Sequence, residues 1–187
     1  MESITFMENV LEGIQKQDSE ALNKAMELYG DKLLKVASVY LKDDNLACDI
    51  VQKVFIKLYN RIDQFKNRSS LYTWLYRITI NECKSELRSW NFRNIFYTNK
   101  LPTRKSDQNI EQNVLDKETR VELYQQILKL DIKYRMVIHF YYYEDLSIKE
   151  ISSILETNEN TIKTRLYRGR KKLKEFLTAK EGGSYER

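Results

Sequence analysis

Proline occurs once in this sequence and glycine five times. An all-β chain needs turn residues at roughly every 8–12 positions, so that class is excluded and an all-α fold is expected. One histidine and two cysteines leave no group spaced to hold a metal. No glycine-rich phosphate loop is present, and no nucleophile sits with a plausible base. Enzymatic chemistry and a bound cofactor are therefore not expected. No apolar run approaches the ~20 residues required to cross a bilayer. The opening MESITFMENVLEGIQK is amphipathic and carries acids, unlike a signal peptide. Cys48 and Cys83 lie far apart in apolar-periodic segments, which suits buried free thiols in a reducing compartment better than a disulfide. A cytoplasmic protein with no membrane insertion of its own is expected.

What remains is a chain of 187 residues, 42% hydrophobic and 32% charged, a balance that suits soluble helices rather than disorder. The length allows one large domain or two small ones. Helical periodicity begins with Phe6, Val10, Leu11 and Ile14 and continues through Leu22, Ala25, Met26, Leu33, Leu34, Ala37 and Tyr40. Asp43-Asp44-Asn45 interrupts it and can cap the next helix, whose apolar positions are Ala47, Ile50, Val51, Val54, Phe55, Leu58 and Ile62. The opposite face of that helix shows Asp49, Gln52, Lys53 and Lys57. The polar run Lys66–Ser70 precedes a further helix from about Leu71 to Trp90.

Periodicity fades from about Phe92 to Lys117, where the single proline, Pro102, sits in the polar run LPTRKSDQNIEQN. The expected organisation is a helical domain over 1–95, a flexible linker over 96–117 and a second helical domain over 118–187. Between Thr98 and Asn113 charges of both signs mix without an apolar stripe, so this stretch is expected to be mobile.

The net charge is +5, but it is unevenly spread. From Asn158 to Lys180 eight basic residues (Lys163, Arg165, Arg168, Arg170, Lys171, Lys172, Lys174 and Lys180) face two acids, Glu159 and Glu175. Such a segment is either a solvated helix face or a nucleic-acid footprint, since clustered cations displace counterions from phosphates. The order of signals around it favours nucleic acid. Ser147 and Glu150 form an S-x-x-E capping box ahead of Ile148, Ile151, Ile154 and Leu155. The chain then turns over Glu156–Asn160, where Asn158 and Asn160 tolerate a left-handed backbone and either can cap the next helix. That second helix would turn Ile162, Leu166, Leu173 and Leu177 inward and its basic residues outward. A short support helix, a tight turn and a basic second helix make a helix-turn-helix. The lone His139 lies among apolar residues and is expected to be packed rather than catalytic.

Taken with three stretches, the chain resembles the extracytoplasmic-function (ECF) sigma factors of bacterial RNA polymerase, the group 4 members of the sigma-70 superfamily. DIVQKVFIKLYNRIDQF resembles the helix with which that family docks on the polymerase clamp. SLYTWLYRITINECKSELR resembles its reader of the melted −10 element, and the C-terminal helix pair resembles its reader of the duplex −35 element. The resemblance implies core RNA polymerase and promoter DNA as partners, with an anti-sigma factor as regulator. It also implies site residues. Polymerase would be met by Asp49, Gln52, Lys53 and Phe55. The −10 strand would be met by Asn67, Arg68, Ser69, Ser70 and Leu71 of a base-capturing loop, and by Arg77, Asn81, Lys84 and Arg88. The −35 duplex would be met by Thr161, Lys163, Thr164, Arg165, Tyr167, Arg168 and Lys171.

The spacing independently supports the second set, because Arg77, Asn81, Lys84 and Arg88 recur at four, three and four and share one helix face. Trp74 either stacks on a base or packs in the core. Where the family commonly has Pro or Gly before the recognition helix, this chain has Thr157, Asn158 and Asn160. A helix-turn-helix regulator acting apart from polymerase would explain the C-terminal half but not the outward Asp49 and Gln52. A basic module for membranes or partner helices would not explain the Asn-rich turn and capping box.

Overall fold

The computed structural model describes residues 2–66, 69–95 and 114–182. Among these every regular element is helical: α1 (Glu2–Gln15), α2 (Ser19–Leu41), α3 (Asp44–Arg61), a 3-10 turn (Ile62–Gln64), α4 (Leu71–Ile95), α5 (Val114–Lys129), α6 (Ile132–Tyr142), α7 (Ile148–Leu155) and α8 (Glu159–Gly182). The chain divides into two compact units, Met1–Arg104 and Lys105–Arg187. The helix expected to end near Trp90 runs on to Ile95, and the first helix of the domain expected from residue 118 starts at Val114. Residues 114–117 of the expected linker are thus helical, while 96–113 lie outside the described residues.

The N-terminal unit is built by α2 packing on both α3 and α4, with α1 laid along α2. Local chemistry sets each boundary. Asp18 caps α2 by accepting from the Glu20 amide at 2.9 Å. The helix closes where Lys42 turns left-handed (φ 58°) and its N–H meets the Ser38 carbonyl. Asp43 then caps α3, accepting from the amides of Asn45 and Leu46, so two acids satisfy amides that the helices cannot satisfy themselves. Gly13 is where α1 touches α2: a Cβ there would stand 2.5 Å from the Ala21 Cβ, which no packed pair tolerates. Leu33, Val36, Ala37, Ala47, Ile50, Val54, Leu58, Leu75, Tyr76 and Ile80 fill the core between α2, α3 and α4.

In the C-terminal unit α6 packs on α8, and α7 closes against both. The buried Arg135 stabilises the turn between α5 and α6, donating from Nη1 to the carbonyls of Leu128 (2.9 Å) and Leu130 (3.1 Å). Gly169 lets α8 approach α6 closely, since a Cβ would lie 3.2 Å from Ile138 Cγ1. His139 is buried, its ring stacked 5.4 Å from that of Tyr143 and its Nε2 3.5 Å from Glu144 Oε1. It packs in the core, as its apolar neighbours imply. No described helix is long and apolar enough to cross a membrane.

Candidate nucleic-acid and polymerase-binding surfaces

Three helices present the side chains in question. On α3, burial of Ala47, Ile50, Val54 and Leu58 turns Asp49, Gln52 and Lys53 to solvent. Phe55 is not with them. At 4% exposure it is a core residue, because it falls on the same stripe as Leu58 and Ile62. The apolar group on the open face is instead Ile56, 59% exposed and one turn beyond Gln52 and Lys53. Asp49, Gln52, Lys53 and Ile56 stand at i, i+3, i+4 and i+7, so the sequence does carry a signal for Ile56 that the resemblance does not use. Cys48 is exposed rather than buried. Cys83 is buried, and burial pushes its thiol up to about 12.

Lys53 also reaches across to α4, where its Nζ lies 3.4 Å from Glu86 Oε2, and Lys57 pairs with Glu82 one turn away. Helix α4 begins where Ser70 accepts from the Thr73 amide at 3.1 Å, with the two hydroxyls 2.8 Å apart. Ser70 thus fixes the junction of loop and helix. Leu71 is buried at 6% exposure and anchors the loop from inside rather than lining it. Ser69 is half-buried, and Asn67 and Arg68 lie outside the described residues. Trp74 is buried with its ring 5.5 Å from that of Phe65, which settles it as a core residue. Along α4 the polar stripe is present: Asn81 and Arg88 are exposed, Arg77 and Lys84 half-buried, and Lys84 Nζ stands 3.5 Å from Asn81 Oδ1. Beside its first turn, Tyr72 stacks on Tyr29 at 5.8 Å, and Lys32 sits 4.9 Å over the Tyr72 ring.

The helix-turn-helix carries the third surface. The capping box on α7 is complete: Ser147 Oγ accepts from the Glu150 amide, and the Glu150 carboxylate accepts from the Ser147 amide at 2.9 Å. The left-handed residue of the turn is Glu156 (φ 52°), not either asparagine. Thr157 steadies it: its amide bonds Ser152 O, and its carbonyl accepts from Ser152 Oγ at 2.6 Å. Asn158 then caps α8, with Oδ1 accepting from the Asn160 amide at 2.8 Å. Burial of Ile162, Leu166 and Gly169 sets the rotation of α8 and leaves Thr161, Lys163, Thr164, Tyr167, Arg168 and Lys171 exposed. Tyr167 is the most open at 70%. Arg165 is half-buried, as are Leu173 and Leu177, for which the sequence implies a fully inward position. Thr164 donates to the Asn160 carbonyl at 2.8 Å, so its hydroxyl is left to accept. Arg170 and Lys172 stand outside the site residues that the sequence implies, yet each lies over tyrosine: Arg170 over Tyr141 and Tyr142, Lys172 over Tyr134. No sequence spacing reveals those contacts. Among the described residues no histidine, cysteine and acid group is placed to hold a metal ion.

Residues 25–92 match the family model of sigma-70 region 2, and residues 120–173 match that of sigma-70 region 4. The ECF RNA polymerase sigma factor SigW of Bacillus subtilis is 32% identical, over 88% of this chain and 92% of that protein. The ECF RNA polymerase sigma-E factor of Escherichia coli is 31% identical, over 86% of this chain and 88% of its own length. The fold is shared with the sigma factor RpoE in complex with the anti-sigma factor NepR from Bartonella quintana. That similarity has a TM-score of 0.74 at 22% identity and covers 83% of this chain and 96% of the other. CnrH in complex with the cytosolic domain of CnrY has the same fold, at a TM-score of 0.67 and 19% identity over 91% of this chain and 96% of that one.

Proposed function

Since the chain belongs to the ECF RNA polymerase sigma factors of the sigma-70 family, we propose that it directs promoter recognition and transcription initiation through three separate helical surfaces. The exposed face of α3, with Asp49, Gln52, Lys53 and Ile56, docks on core RNA polymerase. The loop before α4 captures a base of the melted −10 strand, while Arg77, Asn81, Lys84 and Arg88 hold its backbone. Helix α8 enters the major groove of the −35 element, where Thr164, Tyr167 and Arg168 read base edges and Lys163 and Lys171 hold phosphates. Two domains joined through 96–113 would let these contacts be made at separate promoter sites.

The work is binding and strand capture, with no covalent step and no cofactor, carried out in the cytoplasm where polymerase and promoter meet. The sigma factor RpoE, a solved structure of the same fold, is held by the anti-sigma factor NepR, and an anti-sigma partner that masks the same surfaces is proposed here too. The observation that carries the reading is the rotation of α8. Its buried row of Ile162, Leu166 and Gly169 forces six of the seven expected duplex-binding residues to the open side. A regulator independent of polymerase would leave the open face of α3 without a role.

The test is run-off transcription from a genomic fragment library with bacterial core polymerase and the full chain. Discrete start sites that depend on the chain, sharing one pair of upstream elements, are expected. A chain that binds the fragments but leaves core polymerase without promoter-directed initiation refutes the proposal.

A further inference from the structure

Helix α8 holds a cation that its base-facing row does not use. Counting round the helix, Thr164, Tyr167, Arg168 and Lys171 occupy the side opposite the buried Ile162, Leu166 and Gly169. Lys163 and Arg170, seven residues apart, occupy one flank. Arg170 is exposed, yet it is not a loose surface side chain. Its guanidinium carbon lies 5.5 Å from the ring centre of Tyr141 and 5.4 Å from that of Tyr142, at the end of α6. The two rings meet edge-on at 5.0 Å and 76°, so they form a corner rather than a flat patch. Tyr142 is itself half open to solvent, and no carboxylate among the described residues pairs with Arg170.

A guanidinium held over aromatic faces keeps its full charge and its N–H donors at the rim. It also loses less freedom when it meets a ligand than an unrestrained arginine would. The ligand that suits it is an anion offering oxygen acceptors, presented along the flank of a helix whose open face lies in a groove. In duplex DNA the groove floor offers base edges and its walls offer phosphates. We propose that Arg170, held by Tyr141 and Tyr142, clamps the phosphodiester backbone of duplex DNA beside α8 without regard to sequence. The proposal rests on reading α8 as the duplex-binding helix and adds to it a residue and two positioning tyrosines on a different helix.

Fluorescence anisotropy with the full chain tests it, using two labelled duplexes: one selected by this chain from a random pool, and one of mixed sequence. Arg170→Gln is expected to weaken both alike, about fivefold or more near 0.1 M salt, and to lower the slope of log K against log salt by about 0.9, one phosphate contact. Tyr141→Leu with Tyr142→Leu should weaken binding in the parent chain but by less than twofold when Arg170→Gln is already present. The paired phenylalanine variant, which keeps both rings, should bind within twofold of the parent. Circular dichroism of each variant checks that the helices are retained. An unchanged slope in Arg170→Gln, while Lys163→Gln lowers it, overturns the clamp and leaves the duplex-binding helix standing. Equal weakening by the leucine pair with and without Arg170 also overturns it, because the rings would then act by themselves. If neither Lys163→Gln nor Arg168→Ala has any effect either, the reading of α8 fails and the clamp fails with it.

Discussion

Two adjacent residues of α3 separate stability from function. Ile56 is 59% exposed and Phe55 only 4%. Fully burying an isoleucine side chain is worth ~1.5–3 kcal/mol, so covering what Ile56 still exposes should contribute roughly 1–2 kcal/mol to docking on polymerase. By the relation of free energy to affinity, Ile56→Ala should weaken core binding about 5- to 30-fold. Its effect on folding should stay within about 0.5 kcal/mol, as for other open surface positions. Phe55→Ala inverts the pattern. Emptying a packed phenylalanine site costs roughly 3–5 kcal/mol of stability, with little direct effect on the docking face. The assay is paired: titration of labelled chain with core polymerase, and denaturant unfolding of the free chain. Native affinity in Ile56→Ala, with unchanged unfolding, would falsify the placement of Ile56 in the contact. A loss of affinity in Phe55→Ala under conditions where the protein is fully folded would mean that α3 docks by its other face.

Asp49→Ala combined with Gln52→Ala should weaken core binding without loss of helicity by circular dichroism; unchanged affinity removes both from the interface. On α8, Arg168→Ala should cost about 1–3 kcal/mol at one base pair and relax preference there, whereas Lys171→Gln should weaken all sequences alike. Equal losses on matched and mismatched duplexes would deny Arg168 a reading role. Ser147→Ala should lower the unfolding free energy by about 1 kcal/mol, since it removes the acceptor for the Glu150 amide. A thermal midpoint unmoved by that change would show that the cap contributes nothing. In the native protein Cys48 should react with a thiol reagent near neutral pH and Cys83 should not. Burial raises the Cys83 thiol from 9.0 to about 12, so the folded state keeps a proton that the unfolded state loses. The stability linked to Cys83 is therefore fully present below pH 9 and falls by up to ~1.4 kcal/mol per pH unit between 9 and 12. Cys83→Ser should flatten that part of the decline; an identical pH profile for both chains would refute the linkage.

Helix type, and the rotation of α3, α7 and the start of α8, were legible because they rest on local signals. The aspartates before α3, the Ser147–Glu150 box and the apolar rows of α3, α7 and α8 each act within one or two turns, whereas the Asp18 cap that separates α1 from α2 was not read from the sequence. What was not legible depends on neighbours distant in sequence or on competition between similar residues. The spacing already sets Phe55 in the apolar row of α3, and only the resemblance put it on the docking face; the core takes it and leaves Ile56 open. The turn before α8 asks for one left-handed residue, and the asparagines are the obvious candidates. Glu156 takes that conformation instead, because Asn158 is drawn into capping α8 and Ser152 fixes Thr157. Leu71 was assigned to the base-capturing loop by resemblance alone, and its side chain is drawn inward as α4 begins, where the spacing starts the helix.

Lys53 shows how such long-range pairing changes the meaning of a site. Read from sequence it belongs to the polymerase face alone. In the structure it also stands 3.4 Å from Glu86, and Lys57 pairs with Glu82, so two lysines four apart on α3 meet two glutamates four apart on α4 in antiparallel order. Partly exposed pairs of this kind add little stability, ~0–1 kcal/mol each. Their consequence is positional. On α4 the two acids lie on the side away from Arg77, Asn81, Lys84 and Arg88, and the lysines offset charge that would otherwise repel a strand backbone along the same helix. The face proposed for polymerase and the face proposed for the melted strand are thus linked by side-chain pairs 33 and 25 residues apart in sequence.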